Sequence, residues 1–170
     1  MTLPDLPLRC LSSAESRTTT DVVSGCNTII DFWTTKCTRC PDALDKLDKM
    51  AQDPQYKEVK FISICCDQLD GAREIIEKDD NPRWSHMAHY FMEPNDKETA
   101  KKVLGFKSVP FYVVLDNTGN IVQKGGASKV DLDNVPGKLV MEENKENSKP
   151  DQKIAEAPEE RVFVLDDLEF

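Results

Sequence analysis

Ile29-Ile30-Asp31-Phe32-Trp33-Thr34-Thr35-Lys36-Cys37-Thr38-Arg39-Cys40-Pro41 runs from an apolar strand through a short loop into a helix that opens on two cysteines. Two cysteines with two residues between them at a helix start suit thiol–disulfide exchange. The thiolate is the reactive form, and free N–H groups with the helix macrodipole favour negative charge there. Lys36 and Arg39 add positive charge beside Cys37. Cys37 is the expected nucleophile, and Cys40, one turn later, is placed to resolve a mixed disulfide. The alternative is a structural pair or half of a zinc site. Zinc needs four ligands. Cys65-Cys66, His86 and His89 are the remaining candidates, but neighbouring strand cysteines point to opposite faces.

Working outward, Gly25 and Asn27 mark a turn, and Thr28 to Trp33 is apolar but for Asp31. Such a run fits a strand covered on both faces. Pro41 suits an early helical position. A helix from about Thr38 to Ala51 would bury Leu44, Leu47 and Ala51, with Asp42–Lys46 and Asp45–Lys49 pairs outside. Val59 to Cys66 reads as a second strand, with Cys65 and Cys66 as one core and one partly covered thiol. Leu69 to Lys78 reads as a helix, Asp79 to Ser85 as a loop and His89 to Met92 as a short strand. His86 and His89 are expected at the surface or in the loop. Asn95 and Glu98 suggest a capping box for a helix that buries Ala100, Val103 and Leu104 and ends at Gly105. Val109 to Leu115 is a third strand, Asn117 to Asn120 a hairpin turn and Ile121 to Lys124 its return. A last helix is expected between Lys129 and Met141, interrupted by Pro136 and Gly137.

The expected organisation is an irregular lead-in over residues 1–24, with room for one short edge strand, and a domain over 25–141. A charged linker over 142–160 and an apolar-acidic segment over 161–170 follow. That last segment reads equally as a strand docking back and as a peptide for a partner. The chain carries a net charge of −9, and Met141 to Phe170 holds ten acidic against four basic residues. An acidic balance argues against nucleic acid, whose phosphates need Lys and Arg, and against anionic membrane surfaces. No apolar run approaches the roughly 20 residues of a spanning helix. Pro4, Asp5 and Pro7 break any secretion signal and Asp5 and Glu15 any transit peptide, so a cytoplasmic location is expected. Six cysteines there suit thiols or catalysis better than a disulfide scaffold. Cys10 and Cys26 read as incidental thiols.

The order of elements resembles the thioredoxin superfamily. Asp31-Phe32-Trp33 stands ahead of the pair as in thioredoxins, and Val109-Pro110 looks like the family's cis-proline signature. The added segment from Gly71 to Met92 resembles tryparedoxins, nucleoredoxins and bacterial thioredoxin-like reductases. The match covers about Thr28 to Gly126. The resemblance implies an α/β, thioredoxin-like fold, a central mixed sheet with helices on both faces, and the composition of the C-terminal end adds a mostly disordered acidic tail. It implies an oxidoreductase without a cofactor or metal. Its substrates would be disulfide-containing proteins, and an upstream reductase or low-molecular-weight thiol would supply electrons. Cys37, Cys40 and Asp31 take the catalytic roles. Asp31 matches the buried carboxylate beneath the second cysteine, and such a carboxyl can take the Cys40 proton. Trp33, Lys36, Thr38, Arg39, Val109 and Pro110 fall at the substrate-binding positions, with Val109 offering backbone to the substrate and Pro110 keeping metal ions off the thiolates.

Three positions depart from the pattern. Thioredoxins usually carry a second Trp before the first cysteine and Gly-Pro between the two; here these are Lys36 and Thr38-Arg39. A basic contact surface replaces an apolar one, which suits an anionic partner. Cations beside Cys37 favour the reduced form and make the disulfide more oxidising. Other readings are an adaptor anchored through the tail, with the tail meeting a partner, and a redox sensor. A peroxidase of the peroxiredoxin type would need Thr or Ser three residues before its cysteine and Pro before that. Thr34 meets the first condition, while Phe32 and Trp33 stand in place of the proline.

Overall fold

A computed structural model describes residues 1–13, 15–77 and 82–139. Residues up to Lys138 form one compact unit. The expected linker, the 161–170 segment, and residues 140–141 of the expected last helix lie outside the described residues, as does Lys78 at the end of the third helix.

Seven strands form one sheet. They are β1 (Pro7–Cys10), β2 (Ser16–Thr18), β3 (Asn27–Trp33), β4 (Val59–Cys65), β5 (Ala88–Phe91), β6 (Phe111–Leu115) and β7 (Ile121–Gly126). Their order across the sheet is β2-β1-β5-β4-β3-β6-β7. β3, β4 and β5 run parallel, while β6 and β7 on one side and β1 and β2 on the other run antiparallel. The apolar strands expected from sequence occupy the centre, where both faces are covered. β3 alternates between two cores: Ile29 and Trp33 face one, Ile30 and Phe32 the other.

Helices α2 (Cys40–Ala51) and α3 (Leu69–Ile76) cover the first core, and α1 (Thr19–Val23) and α4 (Pro94–Leu104) the second. Leu44 and Leu47 of α2 are fully buried, each burial worth about 1.5–3 kcal/mol. Cys65 and Cys66 are both fully buried, contrary to the expectation of one partly covered thiol, and they enter opposite cores. Period-two alternation at the end of β4 sends one sulfur to each side.

Four expectations change. The lead-in is not irregular: it carries β1, β2 and α1. Arg9 and Cys10 pair with Phe91 and Tyr90 of β5, so the neighbouring strand supplies the order that the local composition lacks. The Asn95–Glu98 capping box does not cap α4. Glu93 is its N-cap without a side-chain bond, and Pro94 fills the first turn, where a missing N–H has no consequence. Val103 is 40% exposed, so the buried face of α4 is Ala100 and Leu104, four residues apart. No helix forms over the described part of Lys129 to Met141. Turns there, with Gly137 at φ 91°, let Val130, Leu132 and Val135 drop into the first core instead. Tyr56 donates to the Leu132 carbonyl at 2.8 Å and holds this segment down.

Candidate functional site

β3 ends at Trp33 and α2 begins at Cys40, so Thr34 to Arg39 form the loop between them. Cys37 therefore precedes the helix and only Cys40 lies in its first turn. Arg39, the N-cap, makes no side-chain capping bond. First-turn N–H groups of α2 thus lack a side-chain acceptor from this residue and face the loop. Cys37 and Cys40 form a disulfide with their Cα atoms 5.4 Å apart. Cys37 is partly exposed, whereas Cys40 is fully buried in the first core. The two sulfurs are thereby unequal: only one meets a partner from solution.

The loop is fixed from behind by Asp67, just beyond β4. Its carboxylate accepts from the Thr35 N–H at 3.1 and 3.2 Å, from the Thr35 hydroxyl at 2.7 Å and from the Gln68 N–H at 2.8 Å. The Cys65 thiol donates to it at 3.1 Å. Partial burial pushes the Asp67 carboxyl up, but bonds from Cys65, Thr35 and Gln68 outweigh it and hold the group below its usual range. Burial drives the Cys65 thiol the other way, to about 12, which makes it inert as a nucleophile.

Ahead of β6, the Val109–Pro110 peptide is cis. The Val109 carbonyl oxygen lies 3.6 Å from the Cys37 sulfur, and Pro110 is buried. Lys36, Thr38 and Arg39 are exposed around Cys37. Trp33, expected at the substrate surface, is 1% exposed. Its ring packs edge-on to Trp84 with centroids 6.0 Å apart, so it supports the loop from inside.

Asp31 lies on the same face of β3 as Trp33, the face covered by α2. It is fully buried, and neither carboxylate oxygen has a hydrogen-bond partner among the described residues. Burial raises the carboxyl well above its usual range. A carboxyl raised in this way is a stronger base than an ordinary carboxylate, so in its ionised form it can take a proton from a neighbouring acid. Cross-strand register makes Asp31 part of a polar row: Tyr112 stands opposite on β6, Ser63 on β4, and His89 opposite Ser63 on β5. Burial, then the Asp31 charge, pushes the Tyr112 phenol up.

His89 is not the surface residue expected. Its Nδ1 meets the Ser63 hydroxyl and its Nε2 lies 2.7 Å from the Trp84 carbonyl oxygen, and burial lowers its pKa. His86 is exposed, and its N–H donates to Asp48 at 2.9 Å. Trp84, at φ 52°, donates its indole N–H to Asp45 of α2 at 2.6 Å, and the Arg83 guanidinium lies 4.3 Å over the Trp84 ring. Asp45 and Asp48 thus tie α2 to the segment before β5. The expected Asp42–Lys46 and Asp45–Lys49 pairs are not among the ion pairs of the described residues.

Sequence reading did not find Asp67, Thr35, Trp84, Ser63, His89 or Tyr112 as parts of this site. The Asp directly after a strand whose neighbour carries the cysteine pair was the one available signal for Asp67. Cys10, read as incidental, has a distinctive thiol. Partial burial pushes it up, yet bonds from Ser12 and Ser13 prevail and bring it down to about 7.

The sequence model of the AhpC/TSA family matches residues 2–167. No curated protein matches the chain by sequence. Among solved structures, the thioredoxin domain of a thiol–disulfide oxidoreductase from Bacteroides vulgatus superposes with a TM-score of 0.62 at 20% identity, covering 73% of this chain and 85% of that one. A thiol:disulfide interchange protein from Bacteroides sp. gives 0.61 at 20% identity, covering 72% and 78%. Arabidopsis thaliana ScoI, in a structure with copper bound, gives 0.59 at 17% identity, covering 78% and 92%. At such identities the likeness shows a thioredoxin-like fold and leaves chemistry to the residues.

Proposed function

The chain belongs to the AhpC/TSA family, and from that premise we propose that it is a thiol–disulfide oxidoreductase acting on protein disulfides through Cys37 and Cys40. One observation carries the reading: the two cysteines form a disulfide in which Cys37 is accessible and Cys40 is buried. That asymmetry assigns the order of events. In the reduced protein the Cys37 thiolate attacks a substrate disulfide. A Cys37–substrate bond forms, the substrate S–S bond breaks and one substrate thiolate leaves. Cys40 then gives up its proton and attacks the Cys37 sulfur, and the second substrate thiolate leaves. Two electrons pass to the substrate and the pair ends oxidised.

Asp31 is the proposed acceptor of the Cys40 proton, a role its buried, unpartnered carboxyl supports. Val109 offers its carbonyl beside the Cys37 sulfur, next to where a substrate chain would run. Lys36, Thr38 and Arg39 form the exposed rim that a substrate meets. A cellular dithiol or reductase restores the thiols, and the cytosol, which keeps thiols reduced, is the proposed compartment.

The test is a trap. Cys40→Ser leaves Cys37 able to attack but removes resolution, so a mixed disulfide with a disulfide-containing protein accumulates and is cleaved by dithiothreitol. Cys37→Ser accumulates none. Equal trapping by both variants, or no reversible Cys37–Cys40 couple in a thiol–disulfide redox buffer, would overturn the reading.

A further inference from the structure

Beside the cysteine pair lies an open groove of about 890 Å³ bounded by α2, the turn after α4, the start of β6 and the end of β7. Five exposed cations line it: Arg39, Lys46, Lys107, Lys124 and Lys129. Asp42 is the single acid among its lining residues. This sign is opposite to that of the whole chain, whose net charge is −9. None of the five is in an ion pair among the described residues. Their charge is therefore not neutralised by a described carboxylate within salt-bridge reach.

The fold holds the cations there by separate devices. Lys124 donates to the Leu104 carbonyl at 3.0 Å, which anchors its ammonium at the C-terminal end of α4, where a cation is favoured. Lys129 packs against Gly125: a Cβ at 125 would stand 3.1 Å from the Lys129 Cβ, and Gly125 has a φ of 150°. Arg39, the N-cap of α2, and Lys46, seven residues on within that helix, both line the groove. Arg39, two residues after Cys37 in the chain, and Pro110, next to the Val109 whose carbonyl oxygen lies 3.6 Å from the Cys37 sulfur, are both among the lining residues, so the groove adjoins the reacting sulfur.

We propose that this groove binds an acidic polypeptide segment flanking the disulfide that Cys37 attacks. The inference rests on the oxidoreductase reading and names its substrate class. A cleft of one sign focuses the field and raises the local concentration of an opposite charge. An acidic chain lying in the groove meets these cations beside Pro110. Its carboxylates pair with the guanidinium and ammonium groups while its cysteine reaches Cys37.

Full-length protein, reduced and freed of reductant, is mixed in single turnover with three synthetic disulfide peptides of one core sequence. Their flanks are Glu, Ser or Lys, and an uncharged small disulfide, bis(2-hydroxyethyl) disulfide, is run beside them. The expected result is an acid-flanked peptide reduced about tenfold or more faster than its Ser twin at low salt, and the Lys twin slower than both. The preference shrinks toward unity near 1 M salt, where screening acts within about 3 Å. The double variant Lys107→Glu, Lys129→Glu, both at exposed positions, lowers the Glu-over-Ser ratio at least severalfold. Three peptides reduced at rates within about twofold, with the uncharged disulfide also reduced, overturn the groove and leave the oxidoreductase reading standing. An unchanged ratio in the double variant overturns this location. Failure to reduce any of the four overturns the oxidoreductase reading, and the groove assignment falls with it.

Discussion

Replacing Asp31 by asparagine removes a titration while nearly keeping the shape of the side chain. Asp31 is fully buried, with both oxygens unpartnered among the described residues, and burial holds its carboxyl well above the usual range. The unfolded chain releases this proton near pH 3.9, whereas the folded protein keeps it to higher pH. Between those two values the folded state binds more protons than the unfolded one, so stability falls as pH rises. The contribution is complete below the unfolded value and is lost as pH rises through the folded one. Each pH unit in that window costs about 1.4 kcal/mol. Asparagine does not titrate. The stability of Asp31→Asn minus that of the parent should therefore climb by about 1.4 kcal/mol per pH unit above about pH 4. It should level off beyond the folded pKa. The buried amide, lacking partners, shifts the whole curve by about 1–3 kcal/mol without changing its slope. Urea unfolding of both proteins in one redox state, from about pH 5 to about pH 8, reads the slope. A difference independent of pH across that range would refute the buried proton. The same variant should resolve mixed disulfides more slowly, by about 10²-fold or more if the carboxyl is the base.

Asp67→Ala removes the acceptor for Thr35 and Gln68. It should cost about 1–3 kcal/mol at neutral pH. Because this carboxyl is held below its usual range, the difference should close as pH falls below about 4, the opposite direction to Asp31. Chemical denaturation on both sides of that pH checks it. Trp84→Phe keeps the ring against Trp33 but deletes the N–H bonded to Asp45. The half-exposed carboxylate regains water, so about 1 kcal/mol is expected, and a double-mutant cycle with Asp45→Asn should recover most of it as coupling.

What was legible in the sequence follows the burial of each segment. β3, β4 and β6 are largely apolar because both their faces are covered, and such a run is hard to misread. β1 and β2 are short and largely exposed, and pairing with β5 makes them strands, which composition does not announce. Val103 fits the helical period and still faces solvent, since α4 is narrow in its contact with the sheet. At the site, Cys37 and Cys40 could be proposed from local spacing, and Asp31 and Pro110 from the resemblance to thioredoxins. The row from Tyr112 to His89 depends on register across four strands. The basic groove gathers side chains from α2, the turn after α4 and the end of β7. Neither has a signature within any one segment.

Cys65 and Cys66 are adjacent in the chain, yet one sulfur lies under α2 and α3 and the other under α1 and α4. A thiol reagent reaches each of them only when the layer above it lifts. The pair is thus a two-channel gauge of breathing in the native state. Pulse alkylation followed by mass spectrometry of the single peptide holding both would time the two layers against one internal standard. If labelling at Cys65 outpaces that at Cys66, the layer carrying the redox helix opens while the far layer stays shut. If both appear together at the rate of global unfolding, the sheet and its two coats move as one cooperative body.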